Sequence, residues 1–309
     1  MERIERVLQQ WKERLPIQGD KEQLLQRIFS APPVQAFRSK HPDIPREVYL
    51  HSLVPLRQYV KEQANCGRCP GLEHCPNMVQ GHQPELVPYS GLLELRMQPC
   101  DKLKRQEEQK RRSSLIRSHY IPKDILSATF NSLILNQGRI PAIDAAAEFC
   151  EQFAEGRPRK GLYFYGDFGV GKSHIAGAIA QRLVDHGVDS LMVYVPDFIR
   201  EVKDSIRDGQ VQEKLDALKK ATVLILDDIG AENLTPWARD EVLGTILQYR
   251  VTQGLPTLYT SNLNLDELEK HLAYSEKGGV ERTKAKRIME RIRHHVQVFH
   301  VKGPNRRGM

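Results

Sequence analysis

The sequence predicts an α/β protein in two parts: a larger domain with a parallel sheet covered by helices on both faces, and before it a small, mainly helical domain stapled by metal. Two patterns carry that reading. From Leu162 onward short apolar runs alternate with stretches of helical periodicity, the pattern of a parallel sheet with crossover helices. Ahead of residue 101 the texture is helical, and it ends in a segment with cysteines, glycines and prolines but too few apolar residues for a core. A length of 309 residues suits two domains, and either part is long enough to bury apolar surface.

Composition narrows the partners only a little. Lysine and arginine number 46 against 39 aspartates and glutamates, a formal charge of +7. That balance suits an anionic partner such as nucleic acid without demanding one. The first residues, MERIERVLQQWKERL, interleave charges with apolar side chains and lack the continuous apolar stretch of a secretory signal. No run of eighteen apolar residues occurs, so no ordinary membrane span is expected and the cytoplasm is the expected location. Thiols there stay reduced, and the five cysteines read as metal ligands or buried side chains rather than disulfides.

In chain order, Ile4, Val7, Leu8, Trp11 and Leu15 fall at helical spacing and Pro16 ends the run. Asp20 with Gln23 opens a second short helix carrying Leu24, Leu25, Ile28 and Phe29, stopped by Pro32 and Pro33. A third helix follows Pro45. The segment from Cys66 to Cys100 is too irregular for a helix, and it contains Cys66, Cys69, Cys75 and Cys100. Four thiolates suit a closed tetrahedral zinc site whose binding energy would fold the segment. His74 or His82 is an alternative ligand. The run DKLKRQEEQKRR from Asp101 to Arg112 is dense in charge and reads as an exposed linker. The expected division is therefore a domain over 1–100, a linker over 101–118 and a second domain over 119–309. Cys150, within AAAEFCEQF, reads as a buried helix residue.

The larger domain shows apolar strands at 162–165, 191–195, 222–226 and 257–260, separated by helical patterns. Directly after the first come Gly166, Asp167, Phe168, Gly169, Val170, Gly171, Lys172 and Ser173, which fit the phosphate-binding loop G-x-x-x-x-G-K-[ST]. Its glycines let backbone N–H groups wrap phosphates, Lys172 neutralises the outer ones, and the Ser173 hydroxyl ligates magnesium at a helix N-terminus, with His174 beside it. Expected ligands are therefore ATP or ADP with Mg2+. The strand ending at Leu226 runs into Asp227 and Asp228. Asp227 is placed to hold magnesium, directly or through water, and Asp228 to polarise the attacking water. The strand ending at Thr260 leads to Asn262, whose amide can orient that water. From Glu281 to Met309 the chain carries nine lysines and arginines against two acids. Arg287, with Arg291 as the second choice, is the candidate for an arginine that reaches the γ-phosphate of a neighbouring subunit.

The order of loop, Asp-Asp strand, Asn-bearing strand and late arginines resembles that of AAA+ ATPases, notably the DnaC and IstB-like branch. The resemblance implies ATP held between adjacent subunits, with Asn262 as sensor 1, Arg287 as the trans-acting finger and Arg306 as sensor 2. General AAA+ proteins carry a helical lid, whereas this chain ends soon after the apolar VQVFHV run, a truncation typical of that branch. Together with the cysteine-bearing N-terminal part, the whole chain is similar to the primosomal helicase loaders of Gram-positive bacteria. That likeness implies that residues 1–100 grip the hexameric replicative helicase, while the ATPase domain self-associates, binds single-stranded DNA and couples nucleotide state to opening or release of the ring. Val7, Leu8 and Trp11 are either partner contacts or internal packing. The basic residues between Val211 and Ala221 are either a DNA-tracking surface or a solvated face. Two other functions fit the same motifs: a transposition-type ATPase remodelling duplex DNA, and an adaptor that binds ATP without hydrolysing it.

Overall fold

A computed structural model describes residues 18–204, 211–275 and 279–306. The stretch with Ile4, Val7, Leu8 and Trp11 lies outside them. The chain divides into two compact units, Met1–Lys110 and Arg111–Met309.

In the first unit, α1 (Gln18–Phe29), α2 (Pro32–Lys40), α3 (Arg46–His51) and α4 (Leu53–Gly67) precede an antiparallel hairpin, β1 (His82–Tyr89) and β2 (Leu92–Pro99). Proline placement explains the breaks, since Pro32 and Pro33 form the first turn of α2 and Pro45 sits at the N-cap of α3. Leu25, Val34, Leu56, Leu86 and Leu93 are buried together, so the hairpin completes the core of the four helices. Phe29 meets Tyr49 edge-on at 5.2 Å, and the Arg38 guanidinium lies 4.0 Å above the Phe29 ring. The hairpin turn is Ser90-Gly91, both at positive φ (50° and 78°), the backbone of a two-residue type I′ turn. Of the irregular segment expected between Cys66 and Cys100, residues 68–81 form neither helix nor strand, whereas the hairpin occupies the rest and α4 itself runs through Cys66 to Gly67.

The expected linker also has regular structure. Asp101–Ser114 is a helix, α5, none of whose side chains is buried. Its charges keep it solvated without preventing helix formation, since lysine, arginine, glutamate and glutamine are all good helix formers. Residues 116–119 form β3, an edge strand of the main sheet, and a short helix, α6 (Lys123–Leu126), follows it.

That sheet has six parallel strands: β3 (Ile116–His119), β4 (Gly161–Tyr165), β5 (Ser190–Tyr194), β6 (Val223–Asp227), β7 (Thr257–Ser261) and β10 (Val296–His300). Their spatial order is β10-β4-β7-β6-β5-β3. Alternate residues point to opposite faces. Leu162, Phe164, Met192, Ile225 and Leu258 pack with α7 (Ile140–Glu151) and α8 (Lys172–Asp185). Tyr163, Leu191, Val193, Leu224 and Tyr259 pack on the other face with α9 (Val195–Asp204), α10 (Val211–Lys220), α11 (Gly244–Thr252), α12 (Leu265–Ala273) and α13 (Arg282–Arg293). A π turn, Ala238–Leu243, leads into α11. Two short strands, β8 (Tyr274–Ser275) and β9 (Gly279–Val280), join α12 to α13. Past β10, residues 301–306 form neither helix nor strand. Among the described residues no helix is long and apolar enough to cross a membrane.

Candidate active site

The strand order matters because β7 separates β4, which feeds the glycine-rich loop, from β6, which ends in Asp227. Lys172, Asn262 and Asp228 therefore emerge in a row at one end of the sheet. Lys172 Nζ donates to Asn262 Oδ1 at 2.8 Å, and Asn262 Nδ2 donates to Asp228 Oδ1 at 2.9 Å. The same ammonium donates to the carbonyls of Gly166 (2.9 Å) and Asp167 (2.8 Å). Lys172 is thus held at three points although it is buried.

The loop needs its glycines. Gly166, Gly169 and Gly171 have φ of 147°, 73° and 97°, a region side chains resist. A Cβ on Gly169 would also stand 1.8 Å from Asn305 Oδ1. Gly171 caps α8, which has no side-chain N-cap, so the first N–H groups of the helix remain available to an anion. Val170 is buried, while Asp167, Phe168 and His174 are exposed. His174 Nε2 lies 3.7 Å from Asp124.

Asp227 is 4% exposed. Burial raises its carboxyl above the ordinary aspartate value, with hydrogen bonds from Thr260 and Ser173 opposing the rise, the Asp228 charge adding to it and Lys172 opposing it again. Thr260 links the two acids, because its hydroxyl donates to Asp227 Oδ1 at 2.6 Å and accepts from the Asp228 N–H at 2.9 Å. Asp228 itself is left-handed, with φ 59°. The Ile229 N–H donates to the Thr260 carbonyl at 2.9 Å and the Ser261 hydroxyl to the Ile229 carbonyl at 2.5 Å, which fixes that turn.

These side chains line a cavity of about 860 Å³, within the range of small-molecule pockets. Lys172, Ser173, Asp227, Asp228 and Asn262 form its polar side; Ile125, Leu133, Ile134 and Ile143 supply apolar wall. Arg306 lines it too, half-buried, and its N–H donates to the Gly169 carbonyl at 3.2 Å. Arg287 and Arg291 do not line it. Arg287 is exposed beside Arg282 and Lys284. Arg291, expected on the same helical face, turns inward and donates to the Gly244 carbonyl at 3.0 Å. Lys214 pairs with Glu201 at 2.6 Å, and Lys219 and Lys220 each lie 3.7 Å from Asp216. Sequence reasoning missed Thr260 and Arg139, the latter only 5% exposed and in the cavity wall. Its only mark in the sequence is a glycine before it and a proline two residues on.

In the first unit, Cys66, Cys69, Cys75 and Cys100 line a cavity of about 150 Å³ with His82, whereas His74 is exposed and stands apart from it. The Cys100 N–H donates to the Gly81 carbonyl at 2.8 Å, bringing both ends of the hairpin to the loop after α4. Asn77 Nδ2 donates to Cys66 Sγ at 3.2 Å and Lys102 Nζ to Cys69 Sγ at 3.3 Å. Burial raises the Cys66 thiol, whereas the Gly71 N–H and then Lys102 lower that of Cys69. Among the described residues no three His, Cys, Asp or Glu side chains converge as ligands of a metal ion; the thiols face one space without closing on a centre.

A glycine-rich loop, two acids and an intervening amide at adjacent strand ends of a parallel sheet define a P-loop ATPase of the AAA+ type. Known proteins carry the assignment further. Residues 1–96 match the family described as primosomal protein DnaI N-terminus, and residues 145–308 match IstB-like ATP binding protein. The replicative helicase loader DnaI of Bacillus subtilis is 39% identical over 99% of both chains. The replicative helicase loader DnaC of Escherichia coli is 27% identical over 51% of this chain and 59% of its own. A crystal structure of DnaI, 47% identical, superposes with a TM-score of 0.55 over 63% of this chain and 99% of that one. The chain belongs to the DnaI family of replicative helicase loaders.

Proposed function

We propose that this chain binds the hexameric replicative helicase through its N-terminal unit and delivers it onto single-stranded DNA in the cytoplasm, using ATP hydrolysis in the second unit to time the release. The observation that carries this reading is the hydrogen-bonded row Lys172–Asn262–Asp228 at the floor of a nucleotide-sized cavity, in a chain similar to a helicase loader from end to end.

Lys172 exchanges its loop carbonyls for the β- and γ-phosphates, and the Gly166–Ser173 backbone wraps them. Ser173 and Asp227, already hydrogen-bonded to each other, are the residues that would hold magnesium, which offsets phosphate charge when bound. Asp228 accepts a proton from the attacking water, and Asn262 fixes the direction of that carboxylate. Arg306 meets the nucleotide from the tail as sensor 2. Exposed Arg287, rather than tethered Arg291, reaches the γ-phosphate of the next subunit in an assembly. Hydrolysis is slow until helicase or DNA completes the site.

Cys66, Cys69, Cys75 and Cys100 are the residues that would hold a structural zinc. The donor set supports this: four thiols face one space, and Asn77 and Lys102 already donate to two of the sulfurs, contacts that favour thiolate. Zinc would draw the loop after α4 and both ends of the hairpin into one unit. His82 remains the alternative ligand because it lines that space.

The test is capture of a hexameric helicase by the full chain, together with ATP turnover with and without single-stranded DNA. Capture with DNA-stimulated turnover supports the reading; absence of helicase capture removes it. Binding to single strands should weaken as salt rises, with a log–log slope of about −0.7 per phosphate contacted. Preference for duplex over single strands would instead favour the IstB-like remodelling function, and ATP binding without turnover under all conditions the adaptor.

A further inference from the structure

Arg139 is a residue of the nucleotide cavity that the mechanism leaves unused, and it is unusually placed. It sits at the N-cap of α7 and is 5% exposed. Its Nη1 donates to the Ile134 carbonyl at 3.3 Å, but Nε and Nη2 are buried without an acceptor among the described residues. Those two nitrogens form one edge of the guanidinium, the fork that takes two oxygens of a phosphate or carboxylate side by side. Two glycines leave room around it. A Cβ on Gly171 of the phosphate loop would stand 3.2 Å from Nη2, and one on Gly303 of the tail 3.4 Å from Nε. The neighbouring charge is unfavourable: burial and then Arg306 lower the basicity of Arg139. Two arginines thus line one cavity with Lys172, beside a loop shaped for phosphate, and the donors of Arg139 are unmet.

The tail that carries Arg306 is fastened to the same elements. The Val301 N–H donates to Tyr165 at 2.8 Å, the Lys302 N–H to the Gly138 carbonyl at 3.0 Å, and the Arg306 N–H to Gly169 at 3.2 Å. Residues 301–306 therefore run from the end of β4, past the residue before Arg139, to the phosphate loop. We infer that Arg139 is a phosphate-responsive clasp: nucleotide phosphate at Gly171 supplies the acceptor its Nε/Nη2 edge lacks, offsets its repulsion from Arg306, and so latches residues 301–306 against the loop. The inference rests on the ATP reading of the cavity and adds to it a cis-acting arginine and a nucleotide-dependent tail.

Calorimetry on the full-length chain with Mg-ATP, ADP and adenosine, with hydrogen exchange of residues 301–306, tests it. The wild-type chain should bind ATP and ADP, and either should slow exchange in the tail, whereas adenosine should not. Arg139→Gln should weaken ATP and ADP about ten-fold or more, leave adenosine unchanged and abolish the tail protection; a ten-fold loss corresponds to about 1.4 kcal/mol. Arg139→Lys, a point charge without the fork, should recover only part of the affinity. A folded Arg139→Gln chain binding both nucleotides as the wild type does would overturn the clasp. So would ADP binding by the wild type with no change in tail exchange, a result that needs no variant. If the wild type bound neither nucleotide, the ATP reading itself would fall and this inference with it.

Discussion

Asn262 uses both ends of its amide, accepting from Lys172 and donating to Asp228, and in the proposed mechanism that makes it the joint between phosphate binding and water activation. Asn262→Ala should lower the ATP turnover rate by about 10²-fold, the scale of losing one oriented polar group, with nucleotide affinity nearly unchanged. Steady-state turnover beside calorimetry checks this. Asp228→Asn should do the same and fold normally, because asparagine tolerates the left-handed backbone at φ 59°. Asp227 behaves differently. Burial raises its carboxyl above 3.8, so between that value and its folded pKa the native chain holds a proton the unfolded chain has lost. Stability therefore falls as pH rises through that window, and above it the ionised, buried group is a standing cost. Asp227→Asn keeps an acceptor for Thr260 and removes the charge. It should raise the melting temperature of the nucleotide-free chain at pH 7 by about 2–4 °C per kcal/mol relieved, while erasing the gain in ATP affinity from magnesium. A lower melting temperature would contradict this account. The meeting of Lys172, Ser173, Asp227 and Asn262 at one cavity was legible in the sequence, because a phosphate loop is a local pattern and strand ends mark where ligands gather. Arg139 was not, since its role comes from the fold bringing Gly171 and Gly303 beside it.

Among the elements, α11 shows how a helix can hold a sheet. Arg250 is 1% exposed; it donates to Thr257 Oγ1 at 2.8 Å and to the carbonyls of Leu218 (3.0 Å), Ala221 (2.6 Å) and Pro256 (2.6 Å). Burial pushes its basicity down to about 10. Those carbonyls end α10 and precede β6 and β7, so one side chain closes three chain segments. Arg250→Met should cost about 3 kcal/mol or more by leaving buried acceptors unmet, measured by urea unfolding of the second unit. Nothing in LQYRVTQG announces this, because an arginine in a helix normally reads as solvated surface. The hairpin was hidden for another reason: Pro84 and Pro88 fall within β1, and only Pro84, Leu86 and Leu93 are buried on it. The four strands named by apolar runs at 162–165, 191–195, 222–226 and 257–260 were plain, because strands covered on both faces are apolar throughout. Edge strand β3, with the sequence IRSH, lacks that signature. If zinc joins the hairpin to α4, metal analysis should find about one zinc per chain, and chelation or Cys66→Ser should unfold the first unit while ATP binding persists.

At the scale of the molecule, the chain divides between Lys110 and Arg111, and the proposed function assigns helicase capture to the first unit and ATP hydrolysis to the second. Residues 111–309 alone should bind ATP with the affinity of the full chain, and residues 1–110 alone should capture helicase without nucleotide; calorimetry and pull-down on the two fragments decide. Within the larger unit Arg239, 1% exposed, grips Asp240 at 2.8 Å and Glu281 at 2.6 Å and so fastens the π turn to the start of α13. The last described residues have a practical meaning for anyone handling this protein. Because Asn305 fills the space over Gly169 and the Arg306 N–H donates to the Gly169 carbonyl, a purification handle or fluorophore that displaced these two residues would disturb the phosphate loop. Labels intended to leave nucleotide affinity undisturbed belong elsewhere on the surface.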